Sequence, residues 1–117
     1  MIKLRNTNTV SISTGTITAG GSYTTEAFDC QELEGYFSLQ WTVTGDGTMK
    51  AEVLSSNDGV NFSDVNPDIT TGQTKTSGSS GTNMDSFVVV PCNQIKIKFT
   101  ETGSSSTIAV AARLRAF

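Results

Sequence analysis

The chain reads as an all-β protein, a single-domain antiparallel β-sandwich or jelly roll of about eight strands. Three observations predict it. Apolar residues recur with a period of two over most of the length, and no segment carries the 3.6-residue stripe of an amphipathic helix. Glycine, serine and threonine punctuate the sequence at short intervals, as turns between short strands require. Of 117 residues only 36% are hydrophobic and 16% charged, and the remainder is mostly Ser, Thr and Gly, a mix unlike the Ala, Glu, Lys and Leu of a helical bundle. A chain of this length builds one core, so residues 1–117 are read as one domain.

The elements follow in order. Residues 2–12 alternate weakly, with Ile2 and Leu4, then Val10 and Ile12, in phase. Ser13-Thr14-Gly15 reads as a turn, residues 16–19 as a short strand broken by Gly20-Gly21, and residues 23–28 as a further strand. Phe37, Leu39, Trp41 and Val43 then alternate with Ser38, Gln40, Thr42 and Thr44, which puts four large apolar groups on one face. Asp46-Gly47 offers residues that tolerate the positive φ of a type I′ turn, and Met49, Ala51 and Val53 return in phase. A β-hairpin pairing these two strands is predicted.

Ser56-Asn57-Asp58-Gly59 closes the second of them as a turn. Residues 66–86 hold few large apolar side chains, Ile69 and Met84 apart, and are predicted to form a long Ser/Thr/Gly-rich loop. Residues 87–90 are apolar on both faces, as in a central strand, until Pro91 removes a ladder donor. Ile95, Ile97 and Phe99 alternate with polar neighbours. After the turn at 103–106, Ile108, Val110, Ala112 and Leu114 face one way, and Ala109, Ala111, Arg113 and Arg115 the other.

Composition narrows the function. A net charge of −3 without a basic cluster argues against nucleic acid as a partner. Lys3 with Arg5, Lys96 with Lys98, and Arg113 with Arg115 alternate instead, which suits a solvated sheet face or contacts to an acidic neighbouring subunit. No apolar run approaches the ~20 residues of a membrane span, so no membrane is expected, and Met1 leads straight into polar sequence, so secretion by a signal peptide is not expected either. With no histidine, the commonest general base and metal ligand are missing. No serine sits in a Gly-x-Ser-x-Gly elbow, and the aspartates at 46, 58, 64, 68 and 85 are spread over turns. The expectation is a protein that is not an enzyme, with no catalytic residue, no cofactor and no metal site. Asn57, Asp58, Asp64 and Asp68 offer oxygens, but their spacing matches no calcium loop and Asn-Asp-Gly is turn chemistry.

Cys30 and Cys92 lack metal-binding spacing and each lies beside the start of a predicted strand, so they are candidate spatial neighbours and a candidate disulfide. In a reducing cytosol the expectation is two free thiols. Trp41 and Phe37 fall on the apolar face, which leaves Tyr23, Tyr36 and Phe117 as the aromatics available to a surface.

A resemblance enters through the order and spacing of several pieces: Gly35-Tyr36-Phe37-Ser38-Leu39-Gln40-Trp41, Gly47-Thr48-Met49-Lys50-Ala51-Glu52-Val53, and Ser56-Asn57-Asp58-Gly59-Val60-Asn61-Phe62. A Ser/Gly-rich stretch follows, then Pro91 with Gln94-Ile95-Lys96-Ile97-Lys98-Phe99, and Gly103 before a closing strand of small residues. Together, residues 28–117 resemble small discoidin-like β-sandwich structural proteins of tailed-bacteriophage virions. The resemblance implies a non-enzymatic virion protein, a head decoration, neck or tail accessory subunit. It would be made in the host bacterial cytoplasm and would bind other virion proteins and copies of itself as a homo-oligomer. Residues 1–27 lie outside the resemblance and read as an assembly arm or added strands. Candidate assembly contacts are Ile2, Leu4, Val10 and Ile12 at this end, and Arg113, Arg115 and Phe117 at the other, with the 66–86 loop as a second gripping element. The alternative is a carbohydrate- or receptor-binding module holding a surface glycan, which exposed aromatics in a groove would favour.

Overall fold

The computed structural model describes residues 2–5, 8–77 and 81–117. These form ten strands: β1 (Ile2–Lys3), β2 (Thr9–Ile17), β3 (Ser22–Thr24), β4 (Phe28–Asp29), β5 (Tyr36–Thr44), β6 (Met49–Ser56), β7 (Thr70–Gln73), β8 (Thr82–Val88), β9 (Gln94–Glu101) and β10 (Ile108–Ala116). They make two sheets. One runs β1-β4-β9-β6-β7, with β3 also on β9; the other runs β2-β10-β5-β8 and is antiparallel throughout. The expected all-β sandwich is therefore present, with ten strands among the described residues rather than about eight, three of them (β1, β3 and β4) only two or three residues long and one (β7) inside the predicted loop.

The core lies between the sheets. Phe37, Leu39, Trp41, Val43, Ile108, Val110 and Leu114 enter it from the β10 sheet, and Met49, Ala51, Val53, Ile95, Ile97 and Phe99 from the β9 sheet, all of them fully buried. Phe37 stacks on Phe87, ring centroids 5.3 Å apart. The excursion after β6 is tied back by buried Asn66, which donates to Ser55 Oγ and accepts the amide of Val90.

Several predicted elements differ from the structure, each for a physical reason. The predicted hairpin across Asp46-Gly47 does not form: β5 pairs with β10 and β8, while β6 pairs with β9 and β7. Residues 45–48 instead cross from one sheet to the other. Alternation identifies a strand's buried face, and that face is the same whether two strands lie side by side or opposite each other. The crossing passes tightly over the next connection, for a Cβ on Gly45 (φ 91°) would stand 2.4 Å from the Thr107 carbonyl oxygen.

The predicted turn at 13–15 is a bulge inside β2. Gly15 takes φ 64° and the register against β10 shifts there, while Thr14 Oγ1 accepts the Val110 amide. Residues 9–17 are thus a strand of the sandwich rather than an arm, and Leu4 and Ile12 are core residues, 1% and 7% exposed. Residues 6–7 of that predicted segment lie outside the described residues.

The predicted 66–86 loop contains β7 and most of β8, with 78–80 outside the described residues. Its poverty in apolar residues reflects an edge position, where one flank and one face stay wet. For the same reason residues 87–90 are not a central strand: β8 ends at Val88, which is 54% exposed, and it is the last strand of its sheet.

Candidate assembly edge and outer face

The side of the β10 sheet that faces away from the core is built by alternate residues of its strands. Register places Arg115 beside Ser38 and Ser38 beside Ser86, then Arg113 beside Gln40 and Gln40 beside Met84. One row further, Tyr36 pairs with Val88, and the Phe117 amide donates to the Tyr36 carbonyl at 2.9 Å. Phe117, Tyr36 and Val88 therefore form an apolar row across three strands, 48%, 56% and 54% exposed. Met84, more exposed still, stands on the same face of β8. Arg115 lies over the Phe117 ring, its guanidinium 5.0 Å from the centroid. Further along the face the small side chain of Ala111 leaves an open groove of about 640 Å³ bordered by Ser11, Ser13, Gln40, Thr42 and Arg113.

Among the described residues no strand pairs with the far side of β8, where this row ends. Hydrogen bonds from Val89 to Gly35 and from Val43 to Gly81 fix the phase of the β5–β8 ladder. Amides and carbonyls of the inward residues Asn83, Asp85 and Phe87 consequently point to β5, and those of Thr82, Met84, Ser86 and Val88 point to the free side. Asn83 Oδ1 takes the Met84 amide, leaving Thr82, Ser86 and Val88 as the outward donors. The other sheet edges are guarded by familiar means: β1 has two residues, β7 has four and a register shift, and β2 carries the Gly15 bulge. β8 keeps seven residues in unbroken register and contains no Pro, Lys or Arg. Its single charge, Asp85, turns inward, where Trp41 Nε1 donates to the carboxylate at 2.8 Å.

The candidate contacts named from sequence separate into three places. Ile2, Val10 and Ile12 come together with Tyr23 and Phe28 around a shallow cleft of about 350 Å³ at the mouth of the sandwich. Leu4 and Phe117 border another depression, of about 600 Å³, beside Glu32 and Glu34. Leu4 and Ile12 are too deeply buried to offer a neighbour more than an edge, which corrects their assignment as contacts. Arg113, Arg115 and Phe117 do stand on the outer face.

Sequence reasoning missed two carboxylates. Glu101 continues the inward phase of Ile95, Ile97 and Phe99 and is 1% exposed. It accepts the amides of Gly20, Thr48, Gly103 and Ser104, so one side chain fastens three connections at one end of the sandwich. Those donors hold its carboxyl down to about 2. Asp85 likewise follows the inward phase of β8. In both cases the phase was the available signal, and the charge concealed it.

The aspartates weighed for calcium do not converge. Asp58 is filled by its own turn, accepting from Val60, Asn61 and Ser56, which holds its carboxyl well below the usual range. Asp68 faces Lys50 at 3.8 Å. Burial, and then the neighbouring Asp64 carboxylate, which favours a proton shared between the two, push Glu52 upward. Among the described residues no group of three or more Cys, Asp and Glu is placed to hold a metal ion. Cys30 and Cys92 are free thiols lying side by side, so their predicted proximity is present without a bond. Trp41 is buried, 1% exposed, whereas Tyr36 and Phe117 are surface neighbours.

No protein-family model and no curated protein sequence matches the chain. Solved structures share its fold. The periplasmic inhibitor of g-type lysozyme PliG from Aeromonas hydrophila superposes with TM-score 0.54 at 7% identity, over 99% of this chain and 95% of that one. Tailspike protein 4 of bacteriophage CBA120 gives TM-score 0.51 at 18% identity, over 97% of this chain but only 20% of the tailspike chain. The module CsCBM6-3 of Clostridium stercorarium, solved with cellobiose, gives 0.48 at 14% identity, over 91% and 72%. At these identities the likeness is one of architecture alone: the chain is a two-sheet, antiparallel-rich β-sandwich.

Proposed function

We propose that this chain is a non-enzymatic structural subunit of a bacteriophage virion, a head decoration, neck or tail accessory piece. It assembles with copies of itself and with other virion proteins through the open edge of β8. The observation that carries the reading is the meeting of the Phe117–Tyr36–Val88 row with a seven-residue edge strand that no bulge, proline or lysine protects. A partner strand added there gains backbone hydrogen bonds from the edge and apolar contact from the row, which gives affinity and register together. The resemblance of residues 28–117 to small phage sandwiches supports the setting. Arg113 and Arg115 on the same face suit an acidic or hydroxyl-rich neighbour.

The test is mass by light scattering over a concentration series, on the wild type and on a Met84→Lys/Val88→Lys variant. Both positions are solvent-exposed, so the melting temperature should stay within a few degrees. The wild type should gain mass with concentration towards a closed oligomer, and the variant should remain monomeric. A wild type that stays monomeric throughout, or a variant that assembles equally well, contradicts the assignment.

A second reading, a carbohydrate- or receptor-binding module, is favoured by one observation: Tyr36 and Phe117 present neighbouring rings beside Arg115. On that reading a Tyr36→Ala variant loses glycan binding in a direct titration while its mass in solution is unaltered. The row lies on an open face rather than inside a groove lined by aromatics, so the assembly reading is preferred.

A further inference from the structure

Cys30 and Cys92 are the only cysteines in the chain. Cys30 follows β4, and Cys92 lies in the connection from β8 to β9. The antiparallel pairing of β4 with β9 (Phe28 with Ile95, Asp29 with Gln94) continues for one more step, where the Cys30 amide donates to the Asn93 carbonyl at 3.0 Å. The ladder therefore holds the two segments in register without any covalent help. Within that frame the two Sγ atoms are 4.0 Å apart, and Cys30 Sγ also approaches the Cys92 carbonyl oxygen at 3.7 Å. A disulfide needs the sulfurs roughly 2 Å closer, a change within reach of side-chain rotation. Cys30 is buried, 5% exposed, whereas Cys92 is only partly buried, at the margin of the core.

We propose that this pair is a disulfide-forming modification site, closed inside one chain by exchange with a small disulfide of the glutathione class. The less buried Cys92 reacts first. Its thiolate attacks one sulfur of the oxidant, that S–S bond breaks, and one small thiolate leaves and takes up the proton Cys92 gave to solvent. Cys30 then loses its proton and attacks Cys92 Sγ, expelling the second small thiolate, which is protonated in turn. Two protein thiols are oxidised to one disulfide and one small disulfide is reduced to two thiols. Burial, and then the neighbouring sulfur, push the Cys30 thiol up to about 12, in keeping with its place as the second reactant.

The bond would join residues that border a shared depression of about 480 Å³ between Cys30–Gly35 and Val89–Asn93. Those stretches lead directly into β5 and out of β8. Oxidation therefore clamps the end of the sandwich where Tyr36 and Val88 pair, and does so whether or not that edge recruits a partner.

The folded protein is incubated with oxidised glutathione at neutral pH and read by intact mass, thiol titration and melting. The wild type should lose two hydrogens, keep no titratable thiol, yield a Cys30–Cys92 cross-linked peptide, and melt roughly 10 °C higher, as expected for closing so long a loop. Cys30→Ala should stop at a glutathione adduct on Cys92. Cys92→Ala should stay unmodified while folded. A wild type that keeps both thiols under conditions that fully modify Cys30→Ala overturns the proposal, and so does cross-linking found only between chains.

Discussion

The Trp41–Asp85 hydrogen bond makes the most exacting prediction about how β8 is held. The indole is fully buried and donates at 2.8 Å to a carboxylate on the edge strand. Trp41→Phe removes the donor and leaves the charge half-buried without it, a loss of about 2 kcal/mol for a hydrogen bond to an ionised group. The smaller ring also leaves roughly 40 Å³ unfilled, worth about 1 kcal/mol. The sum, about 3 kcal/mol, is well inside the ~10 kcal/mol typical of a domain this long, so the variant folds and its melting temperature falls by roughly 10 °C. Asp85→Ala loses the same bond from the other side. In a double-mutant cycle, by denaturant unfolding followed with far-UV circular dichroism, the coupling should be about 2 kcal/mol. Additivity to within about 0.5 kcal/mol would show that the bond does not pin the strand and would refute the reasoning.

Two other predictions concern the turns. Because four amides hold Glu101 at about 2 against its ordinary 4.5, its contribution is complete above pH 4.5 and is lost as pH falls towards 2. Glu101→Gln, which does not titrate and can accept through one oxygen only, should melt lower at pH 7 and lose less between pH 4.5 and 2; melting curves with parallel slopes would count against this, the residual slope belonging to Asp58. At the sheet crossing, Gly45→Ala should cost more than about 2 kcal/mol, since its Cβ meets the Thr107 carbonyl at 2.4 Å. Gly15→Ala, also at positive φ but with nothing within 4 Å, should cost only about 1 kcal/mol, and equal losses in denaturant midpoint would remove the argument from close approach.

The alternation of Phe37, Leu39, Trp41 and Val43, and of Ile95, Ile97 and Phe99, was enough to place the core faces, because period two reports burial directly. It could not say which strands lie in one sheet. That is why Asp46-Gly47 resembled a hairpin turn while in fact carrying the chain between layers, a distinction set by the close approach of residues 45–48 to Thr107 and Glu101. Gly15 looked like a turn for a related reason: positive φ serves a bulge as well as a reversal. The candidate site was legible in part. Phase alone puts Arg113 and Arg115 on the face opposite the apolar one, and Phe117 is legible only as an aromatic left available to a surface. Val88 and Met84 were hidden, one inside an apparently central apolar run and the other inside an apparent loop, because an edge strand carries too weak a pattern to announce itself. The proximity of Cys30 and Cys92 could be suspected from their places beside strand starts, but the partner strands that bring them together could not.

Amide hydrogen exchange of residues 82–88, followed from dilute to concentrated protein, tests strand pairing at β8 most directly. The account predicts that the Ser86 and Val88 amides, which point to the free side, exchange quickly in dilute solution and become protected as mass grows, while β2 does not change. Rapid exchange of both amides at every concentration, or protection arising at β2 instead, would contradict assembly through this edge.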